Sequence, residues 1–486
     1  MTPNEYCSYD AMGLAELIRS GAASQRELAM EVSHAVAALN PQLNAVIECF
    51  EDRVRDLGDK PDDPDAPFAG VPWLLKDVGS GEVGCKQEQG SRLLKDYVLD
   101  VETHLSTRMR KAGLINMGRT TIPEFAYDGN TESILTGVTR NPWDTRLIAG
   151  GSSGGAAVSV ASGMVPVAHA SDGGGSIRLP ASLNGLVGLK PTRGRISTWP
   201  IFIADRPLGH ATEFVVSRTV RDSAAFLDAF NGPAPAEPRT LPAPEASFLD
   251  TLPNLPSGLN IAVNWDNGSG ADVHPAMVTA IKAVASLLEQ EGHHVSQDYP
   301  KVEFHSFATA MTDMWAVEIA TMLDYLSNEL DRPLDETTLE NNALGLIERS
   351  QKISGQKLME AMLTQDACNK LFHDFLDHYD VLITPTTGIP APKLGSSGPF
   401  SENAWVLDFA APQDAAMLNY TFQANASGQP AISLPLVWTD EGLPIGMQFQ
   451  ARYGDEAILL QLAWFLETAM PWSDRIAPNH YSHSEQ

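Results

Sequence analysis

Gly150-Gly151-Ser152-Ser153-Gly154-Gly155 and Ser171-Asp172-Gly173-Gly174-Gly175-Ser176-Ile177-Arg178 bracket a run of Ala, Val and Ser. Glycine costs backbone entropy in an ordered core, so this density needs a reason. Ser153 to Gly163 reads as a helix, and Val165 to Ala170 as the strand after it. Asp172 to Ser176 is then the turn at that strand's end. A strand–turn–helix rhythm around the clusters predicts an α/β protein with a largely parallel or mixed sheet. Ligands of such sheets bind outside the carboxyl ends of strands, where both clusters fall.

The rhythm continues outward in both directions. Upstream, residues 8–40 read as two helices, the second opened by the capping-box pattern Ser24-Gln25-Arg26-Glu27. Asn44 to Phe50 reads as a strand, and Asp56 to Pro67 as an acidic surface loop. Phe68-Ala69-Gly70-Val71-Pro72-Trp73-Leu74-Leu75-Lys76-Asp77 is apolar on every side of one lysine. It reads as a buried strand, with Lys76 either buried and neutral or at a strand end with its head in water. His104 to Gly113 reads as helix and Leu114 to Arg119 as strand. Downstream, 219–231 reads as helix, and Pro233 to Pro256, with seven prolines, as a connector over the surface. A strand at Leu259–Asn264, a helix at Pro275–Gln290, a helical block from Phe304 to His378 and a buried strand at Asp380–Thr386 follow. Pro390 to Pro399 reads as a loop. Two strands, Ala431–Leu436 and Gly446–Ala451, turn at Asp440-Glu441-Gly442, and a helix from Asp455 to Met470 closes the pattern. The expectation is one domain over 1–486, with 233–256 as an excursion.

Composition excludes several functions. The chain of 486 residues is 43% hydrophobic and carries 33 basic against 61 acidic residues, a net of −28. That balance argues against nucleic acid and anionic membranes as partners. Cys7, Cys49, Cys85 and Cys368 are scattered, which suits free thiols in a reducing compartment and a cytoplasmic location. The start has no basic n-region or long apolar h-region. Ala156 to Ala170, the longest uncharged small or apolar run, is too short and too interrupted to span a membrane. No HExxH is present, and His293-His294 beside Gly292 reads as an exposed helix end rather than a metal site.

Three chemistries suit the glycine clusters. A phosphate loop would need GK[ST] or G-x-G-x-x-G with a later acid, and neither is present. Tight packing alone is the second. The third is acyl transfer, in which consecutive backbone N–H groups stabilise an oxyanion beside a serine nucleophile. Gly173, Gly174, Gly175 and Ser176 would offer up to four donors, with Ser176 placed to attack the same carbonyl. A serine needs a base. His169 is nearest in sequence but reads as a strand residue, which leaves Ser152 and Lys76 as candidates.

These residues resemble the amidase signature family. The resemblance rests on Gly70-Val71-Pro72, Lys76-Asp77, Gly150 to Gly155, Asp172 to Ala181, Gly188-Leu189-Lys190-Pro191-Thr192 and Gly428 to Pro435. It spans nearly the whole chain, and the 24 residues from Ser152 to Ser176 match the family's spacing. One departure is Ser171-Asp172-Gly173 in place of the commoner Thr-Asp-Thr. The resemblance implies hydrolysis of a small-molecule amide with Ser176 as nucleophile, Ser152 as a bridging serine in cis geometry and Lys76 as a neutral base. It also implies an acyl-enzyme intermediate, no metal or cofactor, and a single compact α/β domain built on a mixed, twisted sheet covered on both faces by helices. Asp172 and Arg178 would brace the loop by charge pairing. Ala126 falls where the family uses a backbone carbonyl to hold the substrate amide, with Phe125 and Tyr127 beside it. A homodimer is a further expectation. Within the family the chain looks most like broad bacterial amidases, including the group that opens cyclic nylon-oligomer amides. Aryl-anilide and carbamate hydrolases are alternatives, as is the ammonia-producing subunit of a glutamyl-tRNA amidotransferase. Specificity is expected to lie around 125–135, 200–212, 305–320 and 395–415.

Overall fold

The computed structural model describes residues 1–200, 208–235, 237, 240–401, 406–411 and 416–484. Parts of the 233–256 connector and of the 200–212 and 395–415 segments lie outside these residues. In chain order the strands are β1 (Val46–Cys49), β2 (Pro72–Lys76), β3 (Ile115–Thr120), β4 (Glu132–Ser133), β5 (Gly137–Val138), β6 (Val167–Asp172), β7 (Val187–Lys190), β8 (Thr212–Ser217), β9 (Asn260–Val263), β10 (His294–Gln297), β11 (Val381–Pro385), β12 (Ala431–Trp438) and β13 (Pro444–Ala451). Two of them, β4 and β5, form a small separate hairpin. The other eleven form one sheet in the order β1-β3-β2-β6-β8-β7-β12-β13-β11-β9-β10.

The sheet is mixed, one of the two arrangements that the alternation of strands and helices allows. At one end β3, β2 and β6 are parallel, and at the other β11, β9 and β10. Between them, β6 through β11 pair antiparallel. Helices flank it: Gly154–Ala161, Arg178–Asn184, Val220–Phe230, Pro275–Gln290 and Glu456–Ala469 all contact its strands. All five residues of β2, and likewise β7, β8, β11 and β13, are buried throughout. Strands covered on two faces read as continuous apolar runs rather than alternating ones. A second apolar cluster joins the helices Phe304–Leu330, Asn341–Ser350 and Gly355–Leu376 through Phe307, Met311, Leu346 and Phe372.

Several boundaries differ from the sequence reading. A short helix, Pro3–Ser8, precedes the two expected ones, capped reciprocally by Thr2 and Glu5. The Asp10 carboxylate then takes the Gly13 N–H and starts the next helix at Ala11. Inside the 233–256 connector, Phe248–Thr251 is helical, because Ser247 caps it and Asp228 accepts the Phe248 and Leu249 N–H groups. His293 is buried rather than exposed: its Nδ1 accepts the Leu259 N–H at 3.2 Å, where the helix end folds back onto β9. His294 enters β10 on the exposed side.

The first glycine cluster opens the helix Gly154–Ala161 within touching distance of β3 and the chain before β1. A Cβ on Gly155 would lie 2.5 Å from the Thr121 backbone nitrogen and 2.6 Å from the Ala45 carbonyl oxygen. Backbone cannot yield as a side-chain tip can, so Gly155→Ala is expected to cost about 1–3 kcal/mol. A thermal melt checks this; an unchanged Tm would mean that the helix can move away from β3.

Candidate active site

Lys76 ends β2, and the second cluster begins where the neighbouring parallel strand β6 ends. Adjacent parallel strands deliver their carboxyl ends to the same edge of a sheet, which brings together groups 76 and more residues apart in sequence. The Lys76 side chain does not escape to water; it is 1% exposed. Its Nζ lies 2.8 Å from Ser152 Oγ, 2.9 Å from Ser171 Oγ and 3.3 Å from the Ser171 carbonyl oxygen. Burial brings its pKa down to about 7, against the opposing pull of the Asp172 and Glu213 charges.

The two clusters are stitched to each other. Ser153 N–H donates to the Ser176 carbonyl at 3.3 Å, and Ser153 Oγ donates to the Ser171 carbonyl at 3.2 Å. The Gly151–Ser152 peptide bond is cis. The first cluster needs its glycines for close approach: a Cβ on Gly151 would sit 2.6 Å from the Asn130 carbonyl oxygen and 2.7 Å from that of Asp128.

Asp172 and Arg178 hold the second cluster from inside. Both are fully buried, and the guanidinium meets the carboxylate through two bonds of 2.9 Å. Burial would raise the Asp172 carboxyl, but Arg178 and the Asn425 amide hold it well below the usual range. It therefore stays ionised and gathers N–H groups from Gly175 at 2.7 Å, Ile177 at 3.1 Å and Arg178 at 3.3 Å. The sequence reading counted Gly175 among four oxyanion donors. Its N–H is spent on Asp172, whereas Gly173, Gly174 and Ser176 have no N–H partner among the described residues. Gly175 instead serves shape. Its φ of 137° belongs to glycine, and a Cβ there would strike Thr421 Oγ1 at 2.4 Å.

Supports from far along the chain were not visible in sequence. Thr421 Oγ1 donates to the Gly174 carbonyl at 2.6 Å. Arg178 Nη1 donates to Gln448 Oε1 at 2.7 Å and Nη2 to Asn425 Oδ1 at 2.6 Å. A local signal did exist for one missed group: Ser171, two residues beyond His169 on β6, puts its hydroxyl on the same sheet face.

Ser152, Ser171, Gly173 and Ser176 open onto a cavity of about 420 Å³. Its wall includes Phe125, Ala126 and Tyr127, Trp315 on the long helix, and Glu213 on β8. Phe125 and Ala126 sit consecutively at φ of 52° and 64°, a conformation that costs a non-glycine residue of order 1–3 kcal/mol. Trp315 meets Tyr127 and Phe409 edge-on at 5.0 Å and covers Gly174. Among the described residues, no group of three or more His, Cys, Asp or Glu is placed to hold a metal ion, and no helix is long and apolar enough to cross a membrane.

Such a site can move a proton from a serine to a neutral amine and stabilise an oxyanion on backbone N–H groups. Comparison with known proteins points to amide hydrolysis. The Amidase family model matches residues 27–460. The 6-aminohexanoate-cyclic-dimer hydrolase of Paenarthrobacter ureafaciens is 35% identical over 479 residues, covering 96% of each chain. A solved 6-aminohexanoate cyclic dimer hydrolase in complex with substrate superposes with a TM-score of 0.90 at 33% identity, over 97% of this chain and 99% of that one. A bacterial aryl acylamidase superposes with a TM-score of 0.85 at 25% identity, over 98% and 99%.

Proposed function

From the premise that this chain belongs to the amidase signature family and hydrolyses amide C–N bonds, we propose that it does so through Ser176, Ser152 and Lys76 by way of an acyl-enzyme. Neutral Lys76 takes the proton of Ser152 as Ser152 takes that of Ser176. Ser176 Oγ attacks the amide carbonyl, and the negative charge builds on an oxygen facing the N–H groups of Gly173, Gly174 and Ser176. The tetrahedral intermediate collapses, the C–N bond breaks, and the relay returns the proton to the leaving amine. Water then enters, gives a proton to the same relay and attacks the ester; the acid leaves and Ser176 regains its proton. The Ala126 carbonyl accepts a hydrogen bond from the substrate.

The observation that carries this reading is the 2.8 Å contact between the buried Lys76 Nζ and Ser152 Oγ at the edge of the cavity that Ser176 also lines. A base poised near neutrality suits proton transfer at pH 7. A fluorophosphonate probe followed by peptide mass spectrometry tests it. Label is expected on the peptide carrying Ser176 and absent from Ser176→Ala; label elsewhere sinks the assignment.

The substrate proposed is a secondary amide, cyclic or aryl-substituted. Support comes from the aromatic wall of Phe125, Tyr127 and Trp315, and from the relatives named as cyclic-dimer hydrolase and aryl acylamidase. A panel of primary amides, anilides, carbamates and cyclic amides ranks these by kcat/KM; the highest value on a primary amide would overturn the choice.

A further inference from the structure

Glu213 is a buried carboxylate that this mechanism does not use, yet it lines the reaction cavity and reaches Lys76 by two routes. On β8 it lies directly across from Ser171, so the two side chains share one face of the sheet. Ser171 is the residue whose hydroxyl and carbonyl both hold Lys76 Nζ.

The first route runs through the loop after β2. Glu213 Oε1 accepts the Ser80 N–H at 2.8 Å, and Oε2 accepts the Ser80 hydroxyl. Thr103 Oγ1 donates in turn to Ser80 Oγ at 2.9 Å. Gly79 gives the carboxylate its room: a Cβ there would fall 1.8 Å from Glu213 Oε1, and its φ is 79°. Gly79 and Ser80 thus close the loop after β2 onto this one carboxylate. The second route runs through His169 on β6. His169 Nδ1 accepts the backbone N–H of Lys76 at 3.3 Å, so the ring carries its proton on Nε2. That Nε2 faces Glu213 Oε2 at 3.6 Å, an electrostatic approach longer than a hydrogen bond.

We propose that Glu213 is a positioning residue for the reaction: through Ser80 and His169 it fixes the end of β2, and from the neighbouring strand its charge favours the protonated form of Lys76. The inference rests on Lys76 being the base only for its kinetic consequence. The charged and titratable groups around Lys76 are few. Asp172 and His169 come from β6, with Asp172 offset by Arg178. Asp77 follows Lys76 and is neutralised by Arg119 of β3. Glu213 comes from β8, and its negative charge favours the protonated amine, against the effect of burial. Removing that charge while keeping the shape makes Lys76 easier to deprotonate.

Glu213→Gln is expected to move the acid limb of the kcat/KM profile to lower pH by about half to one pH unit. Glu213→Asp, which keeps the charge, is expected to leave the limb within about 0.3 pH unit of wild type. An acid limb unchanged in Glu213→Gln, or an equal loss at every pH, would overturn the inference where the titration of Lys76 itself is unmoved too. Carbon-13 NMR of enzyme labelled at lysine Cε, made in a Ser176→Ala background, gives a readout free of catalysis. The resonance missing from Lys76→Ala should titrate at lower pH when Glu213→Gln is added; no displacement there overturns the inference as well. A displaced resonance with an unmoved kinetic limb supports this inference and counts instead against Lys76 as the base.

Discussion

Ser176→Ala is expected to lower kcat/KM for any amide substrate by about 10⁴-fold or more, because removing a nucleophile forfeits the covalent route and leaves only oxyanion stabilisation and binding. The fold should survive. Ser176 gives its carbonyl to Ser153 and leads into an Arg178 whose side chain is fully engaged, and neither contact involves the hydroxyl. Circular dichroism and Tm like those of wild type, with activity gone, would complete the test. Activity within tenfold of wild type would remove Ser176 from the mechanism.

Lys76→Ala is the second large effect, and pH separates its two causes. With burial holding the pKa to about 7, the amine is largely neutral above that pH and protonated below it. A base works only when unprotonated. The wild-type kcat/KM is therefore expected to fall about tenfold per pH unit below about 7 and to level off above it. Lys76→Ala should lower the plateau by about 10²–10⁴-fold, the usual worth of a general base, and abolish that limb. A rate loss that kept the limb would assign the limb to another group, and would leave Lys76 only its packing between Ser152 and Ser171. Lys76→Met, close in volume, guards against a cavity at the end of β2.

Much of this site could be read from residue order. Lys76 stood out because a charge amid Val71, Trp73, Leu74 and Leu75 must be either exposed or neutralised, and the strand proved buried throughout. The glycine clusters stood out because close backbone approach has a residue-level signature. What could not be read was what side chains do after folding. Three glycines and Ser176 offer up to four N–H groups on paper; Asp172 folds back on its own loop and takes one. Glu213 left no local trace, since its partners Ser80 and His169 are 133 and 44 residues away. Three strands of the main sheet were also missed. Val187–Lys190 is short, Thr212–Ser217 adjoins residues with no clear period, and His294–Gln297 is a polar strand at the sheet edge with little apolar pattern. The 2.0-residue period is a statement about burial on one face, so it fails where a strand is buried on both faces or on neither.

The bracing of Arg178 bears on when, during synthesis, the enzyme becomes an enzyme. Every serine and lysine of the proposed relay has left the ribosome once residue 176 has done so. The buried guanidinium, however, finds its acceptors beyond Asp172 at Thr421, Asn425 and Gln448, and Gly174 is held by Thr421. A nascent chain still short of residue 421 would carry all the reactive groups, but the loop that holds Ser176 would lack these ties. Reactivity would thus switch on only after residues 421–448 are made and folded, and a nucleophile would stay unarmed in the partly made protein.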